Sequence, residues 1–335
     1  MKAVWFEKKG LAHDVLFCGE MPDPAPDAGQ VRVRVHVSGV NPSDTKTRSG
    51  YRGQTQMEFP RIIPGQDGAG VIDQVGAGVS KTRMGERVWI YEAYRGRAFG
   101  TAAQYCVVPA QHAVKLPDAI DFDTGAALGV PAMTSHRCLF ADGGIQGRTI
   151  LVHGGGGGVG NPAIYLARWA GARVITTVSR PEQEARAKQA GAHVIINRKT
   201  QNVVEAVRAA TDGQGVDRIV DVDFAQNLEG NLGMLKTGGV IASYMSSPST
   251  TPFPFLQLMV NCITVQPVLV YTMSLQAHLD AIRDVTACLE AGAYRTHVGA
   301  RFALEKLADA HEAQDSGQVV GKILLDLPAD AASRP

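Results

Sequence analysis

The residues with the clearest chemical purpose lie in one run, Ile150-Leu151-Val152-His153-Gly154-Gly155-Gly156-Gly157-Gly158-Val159-Gly160-Asn161-Pro162. An apolar stretch leads into five successive glycines, and Pro162 suits the first turn of a following helix. Gly155, Gly157 and Gly160 satisfy the spacing G-x-G-x-x-G, with Gly158 and Val159 inside it. Without Cβ atoms the chain turns tightly and brings backbone N–H groups, at a helix N-terminus, against a pyrophosphate. The strand and helix that the motif requires on either side are present in the pattern. A dinucleotide is therefore expected, and the end of the next strand says which. NAD sites place an acid roughly 20 residues on to hold the ribose 2′-OH, whereas NADP sites have a cation there. Here the position reads Val178-Ser179-Arg180-Pro181, with no acid between Asn161 and Pro181. Ser179 can donate to a 2′-phosphate and Arg180 can pair with it, while Arg198 and Lys199 follow the next strand. NADPH is the expected cofactor.

The elements that must hold these residues follow from the hydrophobic periodicity. Residues 1–120 are strand-rich: positions 31–37 alternate cleanly, and 71–75, 88–90 and 105–108 are short apolar runs punctuated by glycine turns or proline. From about residue 122 strands and helices alternate. Strands are expected at 149–153, 173–178, 193–196, 218–222 and 240–244, and helices at 162–169, 182–190, 203–210 and 228–235. That alternation predicts an α/β fold, a doubly wound parallel sheet with helices on both faces. Further helices are expected at 275–291 and 305–315, with a closing strand at 322–327.

The composition agrees. The chain has 335 residues, enough for two domains, with 45% hydrophobic and 19% charged residues and a formal net charge of +1. Disorder needs low hydrophobicity and high net charge, and charge-driven nucleic-acid binding needs a clustered basic surface; neither is indicated. The five cysteines, Cys18, Cys106, Cys138, Cys262 and Cys288, are odd in number and widely spaced, so neither a zinc ribbon nor a redox dithiol is read from them. Reduced thiols predict a reducing compartment, most simply the cytoplasm. The first residues do not resemble a secretory signal, and no stretch approaches the length of a membrane span.

Taken together, the chain resembles the medium-chain dehydrogenase/reductase superfamily, and within it the zinc-free quinone oxidoreductases related to zeta-crystallin. The resemblance covers nearly the whole chain. It rests on Val40-Asn41-Pro42-Ser43-Asp44-Thr45 with Arg48-Ser49-Gly50, on Pro64-Gly65-Gln66-Asp67-Gly68-Ala69-Gly70-Val71, and on Gly85-Glu86-Arg87-Val88. It continues through Val130-Pro131-Ala132-Met133-Thr134-Ser135-His136, the glycine run, and Gly321-Lys322-Ile323. It implies a strand-rich GroES-like catalytic domain of residues 1–122 and 267–335 around a Rossmann domain of 123–266. Without it, the C-terminal helices would fall in the second domain. It also implies a homodimer, with 262–271 an edge strand at the interface. Zinc-dependent members hold their metal with a Cys in the first of these segments and a His-Glu pair in the second. Here the segments read Ser38-Gly39-Val40-Asn41 and Gln66-Asp67, which supply neither thiolate nor imidazole.

By the same resemblance Asn41, Asp44 and Thr134 lie beside the nicotinamide, Tyr244, Met245 and Ser246 flank the cofactor, Val268 and Val270 approach the carboxamide, and Lys322 contacts the cofactor cleft. Two positions depart from the family: Lys46 follows the Asp-Thr pair where a tyrosine is common, and Arg198 stands where many relatives have a tyrosine. A Lys46 facing the nicotinamide would polarise a carbonyl or bind an acidic substrate. The implied reaction is hydride transfer from NADPH to a quinone, with water as the proton source. The alternatives are an NADPH-dependent reductase of enone, enal or enoyl-thioester double bonds, and a non-catalytic NADPH- or nucleic-acid-binding protein. His36 and His153 are read as structural.

Overall fold

A computed structural model of the chain describes residues 1–328. Contacts divide it into two units, Met1–Val130 with the residues from Thr296 onward, and Pro131–Arg295.

The first unit is organised by the strand Gln30–Val40. Its alternating valines put Val31, Val33 and Val35 into a core with Ile72, Val88, Ile90, Cys106 and Val108. One edge of this strand pairs antiparallel with Asp67–Val75, which is followed in the sheet by Arg87–Ile90 and Ala113–Lys115. The other edge is shared. Gln30–Arg34 pairs with Tyr105–Pro109, and Val37–Val40 pairs with Lys322–Asp326, which in turn carries Val298–Ala303. Val298–Ala303 was not expected from the periodicity. Register decides the local chemistry: Val40 opposes Ile323 and Gly39 opposes Asp67. Asn41, Lys322 and Asp67 therefore meet at the end of the long strand. Gly39 is required there, since a Cβ would lie 2.0 Å from the Ala126 carbonyl oxygen and 2.8 Å from Lys322 Cε.

The second unit is a six-stranded, wholly parallel sheet. Its order is Val194–Asn197, Arg173–Val178, Thr149–Val152, Val216–Asp221, Leu235–Ser243 and Thr264–Pro267. This is the doubly wound order, reversing between Thr149–Val152 and Val216–Asp221. Leu151, Ile175, Ile219 and Ile241 form its core with helix residues such as Val207. Thr264–Pro267 is an edge strand, within the segment expected to be one. The helix Gly129–Phe140, which begins ahead of the sheet, carries the segment 130–136 that the sequence offers as a motif and not as an element.

The division falls at 130/131 and 295/296 instead of the expected 122/123 and 266/267. The later shift has a packing cause. The helix Leu275–Glu290 buries Ala281, Val285 and Cys288, and its Asp284 accepts from His136 Nε2 at 2.8 Å. The Tyr294 ring lies 5.4 Å from that of Tyr165 in the helix Gly160–Trp169. Among the described residues no helix is long and apolar enough to cross a membrane.

Candidate functional site

In the second unit the glycines divide by what surrounds them. A Cβ on Gly155 would lie 2.1 Å from Thr176 Oγ1, and one on Gly160 2.2 Å from the Gly154 carbonyl oxygen. These two allow strand and helix to close on each other. A Cβ on Gly158 would meet nothing within 4 Å, so that position faces open space. Gly157 donates to the Gly154 carbonyl at 2.8 Å, and Val159 precedes the helix Gly160–Trp169, whose first N–H groups lack intrahelical partners. Behind the loop, Arg186 donates to the Gly156 carbonyl at 2.5 Å and to Asn161 Oδ1 at 3.2 Å, while Asn161 Nδ2 donates to the Gly155 carbonyl at 3.0 Å. The loop is held from within, which leaves outward N–H groups of the kind that can receive an anion.

Beside the loop a cavity of about 550 Å³ opens at the carboxyl ends of the strands, where the sheet order reverses. Ser179, Arg198 and Met245 line it together with His153 and Gly154. Ser179 donates its N–H and its hydroxyl to Gln183 Oε1, at 3.0 and 3.1 Å. Arg180 precedes the helix Pro181–Gln189 and is not among the described residues of that lining. Asp223 also lines the cavity, from the loop after Val216–Asp221, and its Oδ1 accepts from Ser247 N–H at 2.7 Å. Tyr244, Met245 and Ser246 follow the strand Leu235–Ser243 and are half-buried; burial raises the Tyr244 phenol. Val268 and Val270 are buried after the edge strand, and Val268 N–H donates to the Ser243 carbonyl at 2.8 Å. Thr134 is buried in the helix Gly129–Phe140.

The first unit holds a buried polar cluster. Asn41 precedes the helix Pro42–Ser49, and Asp44, three residues on, accepts from the Asn41 N–H at 2.8 Å, half of a capping box. Asp44 also accepts from Gln66 N–H at 3.2 Å. The Asn41 amide is held from both ends: Nδ2 donates to Asp67 Oδ2 at 2.8 Å, and Oδ1 accepts from Lys322 Nζ at 2.6 Å. Lys322 Nζ also lies 3.3 Å from Asp67 Oδ2, and Val130 N–H donates to Asp67 Oδ1 at 2.9 Å. Burial, and then the charge of Asp67, push the Asp44 carboxyl up to about 7. Burial likewise raises Asp67, against the pull of Lys322 and Asn41. Lys46 is half-buried, with Nζ 5.0 Å from the centroid of the Tyr51 ring.

The sequence of the chain matches two family models. The alcohol dehydrogenase GroES-like domain covers residues 27–118, and the zinc-binding dehydrogenase covers residues 158–284. A quinone oxidoreductase of Rattus norvegicus is 32% identical over 310 residues, covering 90% of each chain. The chain belongs to the quinone oxidoreductase family of the medium-chain dehydrogenase/reductase superfamily. It is thus an oxidoreductase. A 2-haloacrylate reductase of Burkholderia sp is 31% identical, covering 97% of this chain and 98% of the relative. A solved mycobacterial protein complexed with NADPH is 26% identical with a TM-score of 0.83, covering 97% of this chain and 99% of the other.

Within this family frame the structure brings the expected residues into two groups, Asn41, Asp44 and Lys322 in one unit and the glycines, Ser179, Arg198 and Met245 in the other. Several partners had no sequence signal. In the sequence Asp67 stands out only for its place where zinc-dependent relatives have a metal ligand, yet it anchors both Asn41 and Lys322. Arg186 reads as one more exposed helix cation in a run of charged residues, but it is buried under the loop. His153, read as structural, does have partners: Asn231 Oδ1 at 2.8 Å and Thr177 Oγ1 at 3.3 Å. His36 stacks on Phe122, with ring centroids 4.6 Å apart.

Proposed function

We propose that the chain is a zinc-independent reductase that uses NADPH to reduce a quinone. The cavity wall carries the cofactor half of this reading. Ser179 and Arg198 stand at the ends of adjacent strands, where a dinucleotide with a free 2′-hydroxyl would require a carboxylate acceptor. The loop N–H groups at Gly158 and Val159 suit the pyrophosphate, with Gly155, Gly157 and Gly160 closing the turn behind them. Arg180 is a second cation near the 2′-phosphate. Tyr244, Met245 and Ser246 flank the cofactor, and Val268 and Val270 approach the carboxamide. The NADPH-bound mycobacterial structure supports the same cofactor.

Zinc independence rests on donor chemistry. Where zinc-dependent relatives offer a thiolate and an imidazole, this chain has Asn41, Gln66 and Asp67, and the Lys322 ammonium already neutralises Asp67. A divalent cation would have to enter beside that ammonium and without a soft ligand. In this reading Asn41, Asp44 and Thr134 shape the nicotinamide side of the site. Asn41 serves as an oriented amide, held by Asp67 and Lys322 and therefore unable to rotate away. Lys46 lies on the same helix as Asp44 and would offer a cation to a carbonyl oxygen. When bound, NADPH supplies the hydride, and the quinone is electrophilic enough to take its proton from water.

A second reading is favoured by the 2-haloacrylate reductase relative, which matches almost end to end: reduction of an activated carbon–carbon double bond in an enone, enal, unsaturated acid or enoyl thioester. Loss of NADPH absorbance with a panel of quinones and a panel of activated alkenes separates the two. Turnover with quinones alone supports the first, and turnover with alkenes alone replaces it with the second. Binding without turnover on either panel would favour a non-catalytic binding protein, and a preference for NADH would refute the cofactor half. We also propose a homodimer joined at the Thr264–Pro267 edge, next to the exposed apolar residues Phe255, Leu256 and Val260. Light scattering on a sizing column tests it. The five free cysteines fit a reducing compartment such as the cytoplasm.

A further inference from the structure

His153 directly follows the strand Thr149–Val152 that enters the glycine loop, and it is buried with only 8% of its surface exposed. A buried imidazole is costly unless both nitrogens are satisfied, and a Val or Leu would pack at a strand end without that cost. Its hydrogen bonds suggest why it is there. Gly154 N–H donates to Thr177 Oγ1 at 3.1 Å, and Thr177 Oγ1 lies 3.3 Å from His153 Nδ1. Thr177 also lines the open cavity, and we assign its hydroxyl proton to Nδ1 rather than to that space. Nδ1 therefore accepts, Nε2 carries the proton, and Nε2–H donates to Asn231 Oδ1 at 2.8 Å. The relay runs in one direction, from the Gly154 amide through Thr177 and His153 to Asn231 in the helix Phe224–Met234.

The peptide it fixes is the pivot of the loop. Gly154 has φ +70°, its carbonyl accepts from Gly157 N–H, and Gly160 packs directly on that carbonyl. If the Gly154 N–H were not fixed, a change of φ at Gly154 would swing its carbonyl, release the Gly157 turn and re-aim the N–H groups that follow. We propose that His153 and Thr177 are positioning residues for the pyrophosphate-binding loop, holding Gly154 so that the loop is pre-organised before the cofactor arrives. This rests on the dinucleotide reading above.

The test compares two ligands by titration calorimetry: NADPH, and adenosine 2′-monophosphate, which has the 2′-phosphate but no pyrophosphate. Thr177→Val removes one hydroxyl at nearly constant volume, His153→Phe removes both ring partners, and His153→Asn keeps an acceptor near the Nδ1 position. Losing a preorganising hydrogen bond to a charged ligand's cradle should weaken NADPH about tenfold in Thr177→Val and His153→Phe. His153 and Thr177 also line the cavity, but adenosine 2′-monophosphate has no pyrophosphate for the loop to hold, so its binding should fall clearly less than that of NADPH. His153→Asn should recover most of the NADPH affinity. Unchanged NADPH affinity, an equal loss for both ligands, or no recovery in His153→Asn would overturn the proposal. Should His153→Phe fail to fold, the Thr177→Val pair of titrations decides alone. If the wild-type protein binds neither ligand, the dinucleotide reading falls and takes this proposal with it; normal wild-type binding with indifferent variants sinks only the proposal.

Discussion

Replacing Lys322 with Met isolates the charge balance of the buried cluster. The ammonium and the Asp67 carboxylate are 8% and 0% exposed and 3.3 Å apart. At an effective dielectric of 20 their attraction is about 5 kcal/mol. Part of that is returned when the ammonium no longer has to be desolvated, whereas the Asn41 carbonyl oxygen loses its donor at a cost of about 1–3 kcal/mol. Two donors, Asn41 Nδ2 and Val130 N–H, still reach Asp67. The balance puts Lys322→Met near the measured range for breaking a buried pair, about 3–5 kcal/mol at mildly alkaline pH. The loss must depend on pH. Burial already raises Asp67, and without the ammonium it rises further. A carboxyl whose folded pKa is raised contributes stability below its unfolded pKa and loses it as pH rises through the folded value. The Lys322→Met deficit should therefore shrink on acidification by up to about 1.4 kcal/mol per pH unit within that window. Urea unfolding of the wild type, Lys322→Met and Lys322→Met/Asp67→Asn near pH 6 and near pH 8 measures this. The double variant removes the stranded charge and should regain most of the loss. A single-variant deficit below about 1 kcal/mol at the higher pH, a deficit that ignores pH, or a double variant no better than the single would refute the charge-balance account.

Other outcomes follow from the second unit. Arg198→Glu should weaken NADPH about 10- to 100-fold and leave NADH less affected, since a charge-assisted hydrogen bond contributes about 1.5–3 kcal/mol; Arg180→Glu should do less, because Arg180 lies outside the cavity lining. Binding titrations with both dinucleotides check this. Gly158→Ala should leave the melting temperature unchanged, because its Cβ enters open space, yet weaken NADPH by crowding the pyrophosphate. Gly155→Ala should instead lower stability by about 1–3 kcal/mol, because its Cβ would lie 2.1 Å from Thr176 Oγ1. Thermal melts of the two variants, run side by side, separate the glycine that serves packing from the one that serves the ligand.

The contrast between those two glycines shows where sequence reasoning reaches and where it stops. The loop was readable because its requirement is local: a tight turn, a strand before it and a helix after it all lie within a dozen residues. The alternation of strands and helices in the second unit was readable for the same reason. What was not readable comes from register between distant strands. Lys322 reaches Asn41 only because Ile323 opposes Val40, and Asp67 reaches both only because it opposes Gly39. No spacing between residues 41, 67 and 322 encodes that meeting. Gly39 is the one local trace of it, and its glycine is explained only once Lys322 and Ala126 are seen to fill the place of its side chain. Arg186, Thr177 and Asn231 are similar: each supports the glycine loop from a separate element, so the motif names the surface that meets the cofactor but not the residues that hold it in shape. For this chain the motif and its supports are separable by experiment, since a change at Gly158 should touch binding alone, while a change at Thr177 should touch binding through the shape of the loop.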